Sequence, residues 1–162
     1  MRDSTIKIWD IKTKKCVVTF EGHSRPVNSI SVFGDGRRFI SGSSDNSLKL
    51  WDLDIKKCIM NFREHTLRIN DISISPYGNL FVSAGDDKTI KVWNTNQCNS
   101  MATLKGHDEK VNSLDFSSDG RFIISGSSDK TVRLWSSDSF HLNIKYKKNL
   151  SKTRSYPVIK KK

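Results

Sequence analysis

Tryptophan returns in this chain at Trp9, Trp51, Trp93 and Trp135, every 42 residues. Three further registers keep the same period: Asp3, Asp45, Asp87 and Asp129; Ser41, Ser83 and Ser125; His23, His65 and His107. A fixed period of this size restricts a chain to one supersecondary unit stacked on copies of itself. No such unit buries its apolar surface alone, so its neighbours have to cover it.

Within each period, four short alternating segments separated by turn residues predict four strands. The first runs from Asn28 to Phe33, Asn70 to Ser75 and Asn112 to Ser117. Its apolar residues Ile30/Val32, Ile72/Ile74 and Leu114/Phe116 alternate with polar ones, so one face is expected to be buried and the other exposed. A turn follows with glycine in one register, Gly36, Gly78 and Gly120, where positive φ costs glycine nothing. The second strand carries Phe39-Ile40, Phe81-Val82 and Ile123-Ile124, the aromatic Phe122 sitting one place earlier in the last copy. The third, Leu48 to Trp51, Ile90 to Trp93 and Val132 to Trp135, alternates with charge out and aliphatic in. The fourth, Cys16 to Phe20, Cys58 to Phe62 and Met101 to Leu104, is the expected outer edge, where Lys14, Lys15, Lys56 and Lys57 discourage addition of a further strand. Four antiparallel strands that stack on neighbouring sets describe an all-β fold of propeller blades.

The stretch Ser-Gly-Ser-Ser-Asp-Asn-Ser-Leu-Lys-Leu-Trp-Asp, from Ser41 to Asp52, returns from Ser83 to Asn94 and from Ser125 to Ser136. With Gly22-His23 and Gly106-His107, weakened to Glu64-His65, it resembles the WD40 repeat family, whose units of about 40–45 residues carry Gly-His and Trp-Asp. Trp-Asp stands at Trp9-Asp10 and Trp51-Asp52 and drifts to Trp93-Asn94 and Trp135-Ser136; the likeness covers roughly residues 3–136. The resemblance implies one hydrogen-bonded tetrad per blade: His23, Ser41, Asp45 and Trp51; His65, Ser83, Asp87 and Trp93; His107, Ser125, Asp129 and Trp135. It also implies partner binding through the residue before each turn aspartate, Ser44, Asp86 and Ser128. The positions three and five after each histidine join them: Pro26 and Asn28, Arg68 and Asn70, Lys110 and Asn112. The implied function is a non-enzymatic scaffold for partner proteins or peptides within a multiprotein complex.

Serine, histidine and aspartate are also the residue types of hydrolase triads. A catalytic site is needed once, whereas this set occurs three times at identical spacings and always with a tryptophan. A buried indole requires an acceptor for its single donor, and serine followed by histidine can relay to a carboxylate. Asp86-Asp87 is an acidic pair with two readings, metal ligands or, preferred, turn acids. The repeated asparagines Asn28, Asn70 and Asn112 suit turn capping as well as recognition. Arg68, Lys110 and Asp86 vary between copies and would carry specificity. With no phosphate loop, metal cluster or unrepeated nucleophile, neither cofactor nor metal is expected.

Strand counting predicts a partial propeller over residues 1–144: a half-blade at 1–20 and blades at 21–62, 63–104 and 105–144, with Phe140 to Ile144 as the last outer strand. Such an array is about half of a ring of roughly seven blades. Two copies would each lack the same two inner strands, so the remaining blades are expected from missing sequence or another chain. Residues 145–162 read as a basic disordered tail. Of the net charge of +11, most lies beyond Ser136, where eight Lys/Arg face only Asp138. Tyr146 and Tyr156 among those lysines suit phosphate contact and base stacking, which makes a nucleic-acid-associated protein the alternative reading. Solvated lysines are the preferred one, and no amphipathic period supports a membrane surface. No apolar run approaches the roughly 20 residues of a membrane helix, and Met1 leads into charged residues rather than a secretory leader. Cys16, Cys58 and Cys98 form no close pair, which predicts neither a disulfide framework nor a zinc site and fits an intracellular protein of cytoplasm or nucleus. Cys16 and Cys58, in matching Lys-Lys-Cys runs, are expected in buried or edge-strand positions.

Overall fold

A computed structural model describes residues 4–137. Asp3, the strand predicted from Phe140 to Ile144 and the basic stretch 145–162 lie outside the described residues. The described chain is all β, in four separate antiparallel sheets whose strands follow one another in sequence order. A hairpin, β1 (Ile6–Asp10) and β2 (Lys15–Phe20), comes first. A four-stranded sheet follows: β3 (Val27–Val32), β4 (Arg38–Ser43), β5 (Leu48–Asp52) and β6 (Lys57–Phe62). It is repeated by β7 (Ile69–Ile74), β8 (Leu80–Gly85), β9 (Ile90–Asn94) and β10 (Ser100–Leu104). The last sheet is β11 (Val111–Phe116), β12 (Phe122–Ser127) and β13 (Val132–Ser136). These are propeller blades in a ring that does not close. No helix of the described residues is long and apolar enough to cross a membrane.

The inner strands begin and end one residue earlier than predicted, because Phe33, Ser75 and Ser117 already belong to the turn. Their N–H groups donate to the carbonyls of Arg38, Leu80 and Phe122, each at 2.9 Å. Gly36, Gly78 and Gly120 sit there at φ 66°, 68° and 69°, in the left-handed region that other residues enter at a cost.

No blade holds a core of its own. Ile40, Leu48 and Leu50 of one blade pack with Ile69 and Ile72 of the next; Val82, Ile90 and Val92 pack with Val111 and Leu114. Phe20 and Ile6 of the hairpin pack against Phe39 and Trp51. The outer strand of one blade thus supplies the aromatic that meets its neighbour's tryptophan: Phe20 lies edge-on to Trp51 at 5.4 Å, Phe62 to Trp93 at 5.3 Å. The tryptophan stacks in turn on its cross-strand partner, Phe39 or Phe81, at 6.0 and 5.9 Å. The third copy has Leu104, Ile123 and Trp135 in these places, and Phe122, displaced by one, receives Arg121 over its ring instead.

Stacking on both faces corrects two expectations. Lys49 and Lys91, read as pointing outward, are buried, because the next layer covers that side also. The Lys91 ammonium donates to Thr103 Oγ1 at 3.0 Å and lies 3.6 Å from Glu64. Ile30 and Val32, expected to be buried, are 47% and 61% exposed, whereas their counterparts Ile72, Leu114 and Phe116 are buried. The hairpin in front of β3 lacks the two inner strands that would cover them. Trp9 is 57% exposed for that reason, against 2%, 0% and 8% for Trp51, Trp93 and Trp135. Cys16 and Cys58 lie on the outer strands β2 and β6, and all three cysteines are free and exposed.

Candidate interaction face

The turns β4–β5, β8–β9 and β12–β13 each carry an aspartate beside the loop histidine. His23, His65 and His107 approach Asp45, Asp87 and Asp129 through Nδ1 at 2.8, 2.7 and 2.7 Å. Their Nε2 atoms meet Ser41, Ser83 and Ser125 Oγ at 2.7, 2.7 and 2.8 Å. Trp51, Trp93 and Trp135 donate Nε1–H to those hydroxyls at 2.8, 2.9 and 2.9 Å. An ionised carboxylate can only accept, so Nδ1 carries the proton that faces it; on a neutral ring Nε2 then accepts from the serine hydroxyl, whose oxygen in turn accepts the indole N–H. The serine proton is committed to a buried imidazole in all three blades, so the oxygen is a structural relay.

Each carboxylate collects further donors that the spacing argument missed. Asp45, Asp87 and Asp129 accept from the N–H of Ser24, Thr66 and Asp108 at 2.9, 3.1 and 3.1 Å. They also accept from the hydroxyls of Ser47, Thr89 and Thr131 at 2.5, 2.7 and 2.6 Å. A hydroxyl residue two places after the aspartate in every copy was the available signal. Burial raises the Asp45 carboxyl, but hydrogen bonds from Ser47, Ser24 and His23 outweigh it and hold the pKa at about 2. Asp87, likewise raised by burial, is held at about 2 by His65, Thr89 and Thr66. In Asp129 burial is overcome by Thr131 and His107, and the carboxyl stays far below the usual range. Burial lowers His23 despite the opposing pull of Asp45, which favours the neutral ring that the relay requires.

The nine candidate contact residues form three like clusters at the same edge of the sheets. In each, the N–H before the turn aspartate donates to the carbonyl three after the histidine: Ser44 to Pro26 and Asp86 to Arg68 at 2.9 Å, Ser128 to Lys110 at 3.0 Å. The asparagine amide then reaches the side chain there: Asn28 to Ser44 at 3.0 Å, Asn70 to Asp86 at 2.8 Å, Asn112 to Ser128 at 2.9 Å. Asn28 and Asn70 also donate to Ile69 and Val111 carbonyls of the following blade, at 2.7 and 2.8 Å. That tie between blades is neither of the two roles weighed for the asparagines. The clusters differ in charge. Pro26 and Ser44 are neutral; Arg68 pairs with Asp86 at 2.8 Å; Lys110 is an exposed cation beside Ser128. Asp86 and Asp87 serve separate clusters and do not converge on a common point. Where glycine precedes histidine in the other blades, Glu64 accepts from the N–H of Ser100 at 2.8 Å, so the departure from Gly-His ties a loop to β10.

Residues 14–52, 56–94 and 98–136 each match the family model described as WD domain, G-beta repeat. Guanine nucleotide-binding protein subunit beta of Zea mays is 46% identical over 44 residues, and that of Oryza sativa subsp. indica 43%; each alignment takes in 26% of this chain and 12% of the relative. Nuclear distribution protein PAC1 of Coccidioides posadasii (strain C735) is 46% identical over 44 residues, 27% of this chain and 9% of the relative. The chain thus covers no more than 12% of the length of these curated relatives.

Proposed function

Because the chain belongs to the WD40 repeat family, we propose that it is a non-enzymatic interaction scaffold, which presents the edge carrying Arg68, Asp86 and Lys110 to partner proteins or peptides. One observation carries the reading. The backbone of that edge is the same in each blade, while its side chains pass from neutral Pro26/Ser44 through the Arg68–Asp86 pair to Lys110/Ser128. A rigid frame with a varied charge pattern suits recognition, since polar groups at an interface set specificity more than raw affinity. Meanwhile the serines, histidines and aspartates that would serve catalysis are consumed within the blades. The array comprises a half-blade at 1–20 and blades at about 21–62, 63–104 and 105–144, with the other blades supplied by further sequence or another chain.

The test compares partners retained by the wild-type chain with those retained by Lys110→Glu and by Arg68→Ala. Both side chains are exposed, so the melting temperature is expected to stay within about 2 °C. Loss of a subset of partners at unchanged stability supports this edge as the binding surface. Identical partner sets for all three proteins exclude it.

A further inference from the structure

The turns that lead into β4, β8 and β12 lie at the opposite end of the strands from the Arg68–Asp86 edge. Between the second and third blades two of these turns meet in a filled seat. A methyl group on Gly120 would sit 3.2 Å from Tyr77 Cε2 and 3.4 Å from Pro76 Cδ, and the Tyr77 hydroxyl faces the Asp119 carbonyl 3.5 Å away. Between the first and second blades, Gly34-Asp35 stands where Pro76-Tyr77 does. A methyl group on Gly78 would meet nothing within 4 Å among the described residues, although Gly78 and Gly120 share their backbone conformation, at φ 68° and 69°. The ring that covers one glycine has no counterpart over the other. A cleft of about 310 Å³ remains, with Gly34, Asp35 and Arg38 on one wall and Pro76, Tyr77 and Gly78 on the other.

The walls select an aromatic ring. Arg38 lies over Phe33 at 5.0 Å and pairs with Asp35 at 2.8 Å, so the cleft offers a guanidinium to the face of a ring and a carboxylate that repels a phosphate. The carbonyl that matches Asp119 is that of Tyr77, an acceptor for a phenol hydroxyl. The surroundings are positive. Lys56 and Lys57 lie in the β5–β6 turn, which is tied to the cleft by the Leu53 N–H donating to the Arg37 carbonyl at 2.8 Å. Lys14 and Lys15 hold the same places in the β1–β2 turn, with Lys12 beside them, and all five lysines are exposed. The nearby acids are engaged: Asp35 and Asp54 with Arg38 and Arg37, Asp10 and Asp52 with N–H groups of their own turns. The facing turns of the second blade, 76–79 and 95–99, carry no charged residue.

We propose that this cleft is a binding site for a tyrosine side chain of an acidic partner peptide, the ring lying over Gly78 and the hydroxyl donating to the Tyr77 carbonyl. The positive surroundings favour an acidic carrier over the chain's own Tyr146 and Tyr156, which stand among basic residues, and over a second copy of net charge +11. The site is separate from the Arg68–Asp86 edge and stands or falls independently of it.

The test titrates the isotope-labelled full chain with acetyl-Glu-Glu-Tyr-Glu-Glu-amide. Saturable shifts are expected at the Gly34 and Gly78 amides, with the Gly120 amide unmoved. Leucine in place of the peptide's tyrosine should weaken binding at least about tenfold, and lysines in place of its glutamates should weaken it further at low salt. Asp35→Tyr, which supplies the ring from within, is expected to abolish binding. Asp35→Ala loses the same turn hydrogen bonds without adding a ring; it should still bind, and should melt below Asp35→Tyr. Absence of shifts at Gly34 and Gly78, equal binding of the leucine peptide, or like behaviour of the two Asp35 variants overturns the proposal. Two further arms check the source of the tyrosine. Peptide affinity that rises at least about tenfold in the full chain carrying Tyr146→Ala with Tyr156→Ala would assign the seat to the chain's own tyrosines. Gly34 and Gly78 amides that move on dilution of the free chain would assign it to a second copy. Either result overturns the partner peptide as occupant, and unchanged affinity and shifts support it.

Discussion

Asp86 and Asp87 are adjacent in sequence and serve different structures: Asp86 pairs with Arg68 across a half-exposed surface at 2.8 Å, and Asp87 receives the buried His65 imidazole at 2.7 Å. Loss of Asp87 strands the donors of His65, Thr66 and Thr89, and each orphaned group costs about 1–3 kcal/mol. Loss of Asp86 removes a surface ion pair contributing about 0–1 kcal/mol. Asp87→Ala should therefore melt at least about 5 °C below Asp86→Ala. Equal melting points would contradict the assignment.

The relay also predicts coupling. Ser83→Ala leaves the Trp93 N–H and His65 Nε2 without their shared partner, while Trp93→Phe removes the donor but leaves Ser83 bound to His65. In a double-mutant cycle of denaturant unfolding, the two changes should couple by at least about 0.5 kcal/mol. Additive effects would show that indole and imidazole do not communicate through the hydroxyl.

Acid should lower the stability of the array over two pH windows. Burial holds His23 below its ordinary 6.5, so as pH falls below that value the unfolded chain takes up a proton that the folded chain resists, and stability declines. The Asp45 and Asp87 carboxyls, held at about 2 against an ordinary 3.8, contribute stability that is complete above 3.8 and is lost as pH falls toward 2. Midpoints measured from pH 8 to pH 2 check both steps; His23→Gln should flatten the first, and because His23 also bonds Asp45 it should weaken that residue's share of the second.

The sequence declares what repeats within a blade and conceals what passes between blades. The tetrads were legible because His23, Ser41, Asp45 and Trp51 hold one spacing in three copies, and a buried indole restricts what a neighbouring serine can do. The second role of Asn28 was not legible, because its acceptor is the backbone carbonyl of Ile69, a group that no side-chain pattern marks. Alternation told which side of β3 is apolar but not whether anything lies over it, so Ile30 and Val32 were misassigned. Lys49 and Lys91 were misread on the same ground: a strand layered on both faces buries its cations' stems as well as its leucines.

The central claim is that the stability of this chain resides between blades. Calorimetric unfolding of the 162-residue chain beside Gly42→Ala and Gly126→Ala tests it most directly. Gly42→Ala forces a methyl group against Ile69 and Ile72 and should cost about 1–3 kcal/mol, whereas Gly126→Ala meets only the Ser113 hydroxyl among the described residues, at 3.1 Å, and should cost far less. The account predicts one cooperative transition, lowered several degrees by the first change and little by the second. Equal shifts for the two variants, or separate transitions for individual blades, would contradict it.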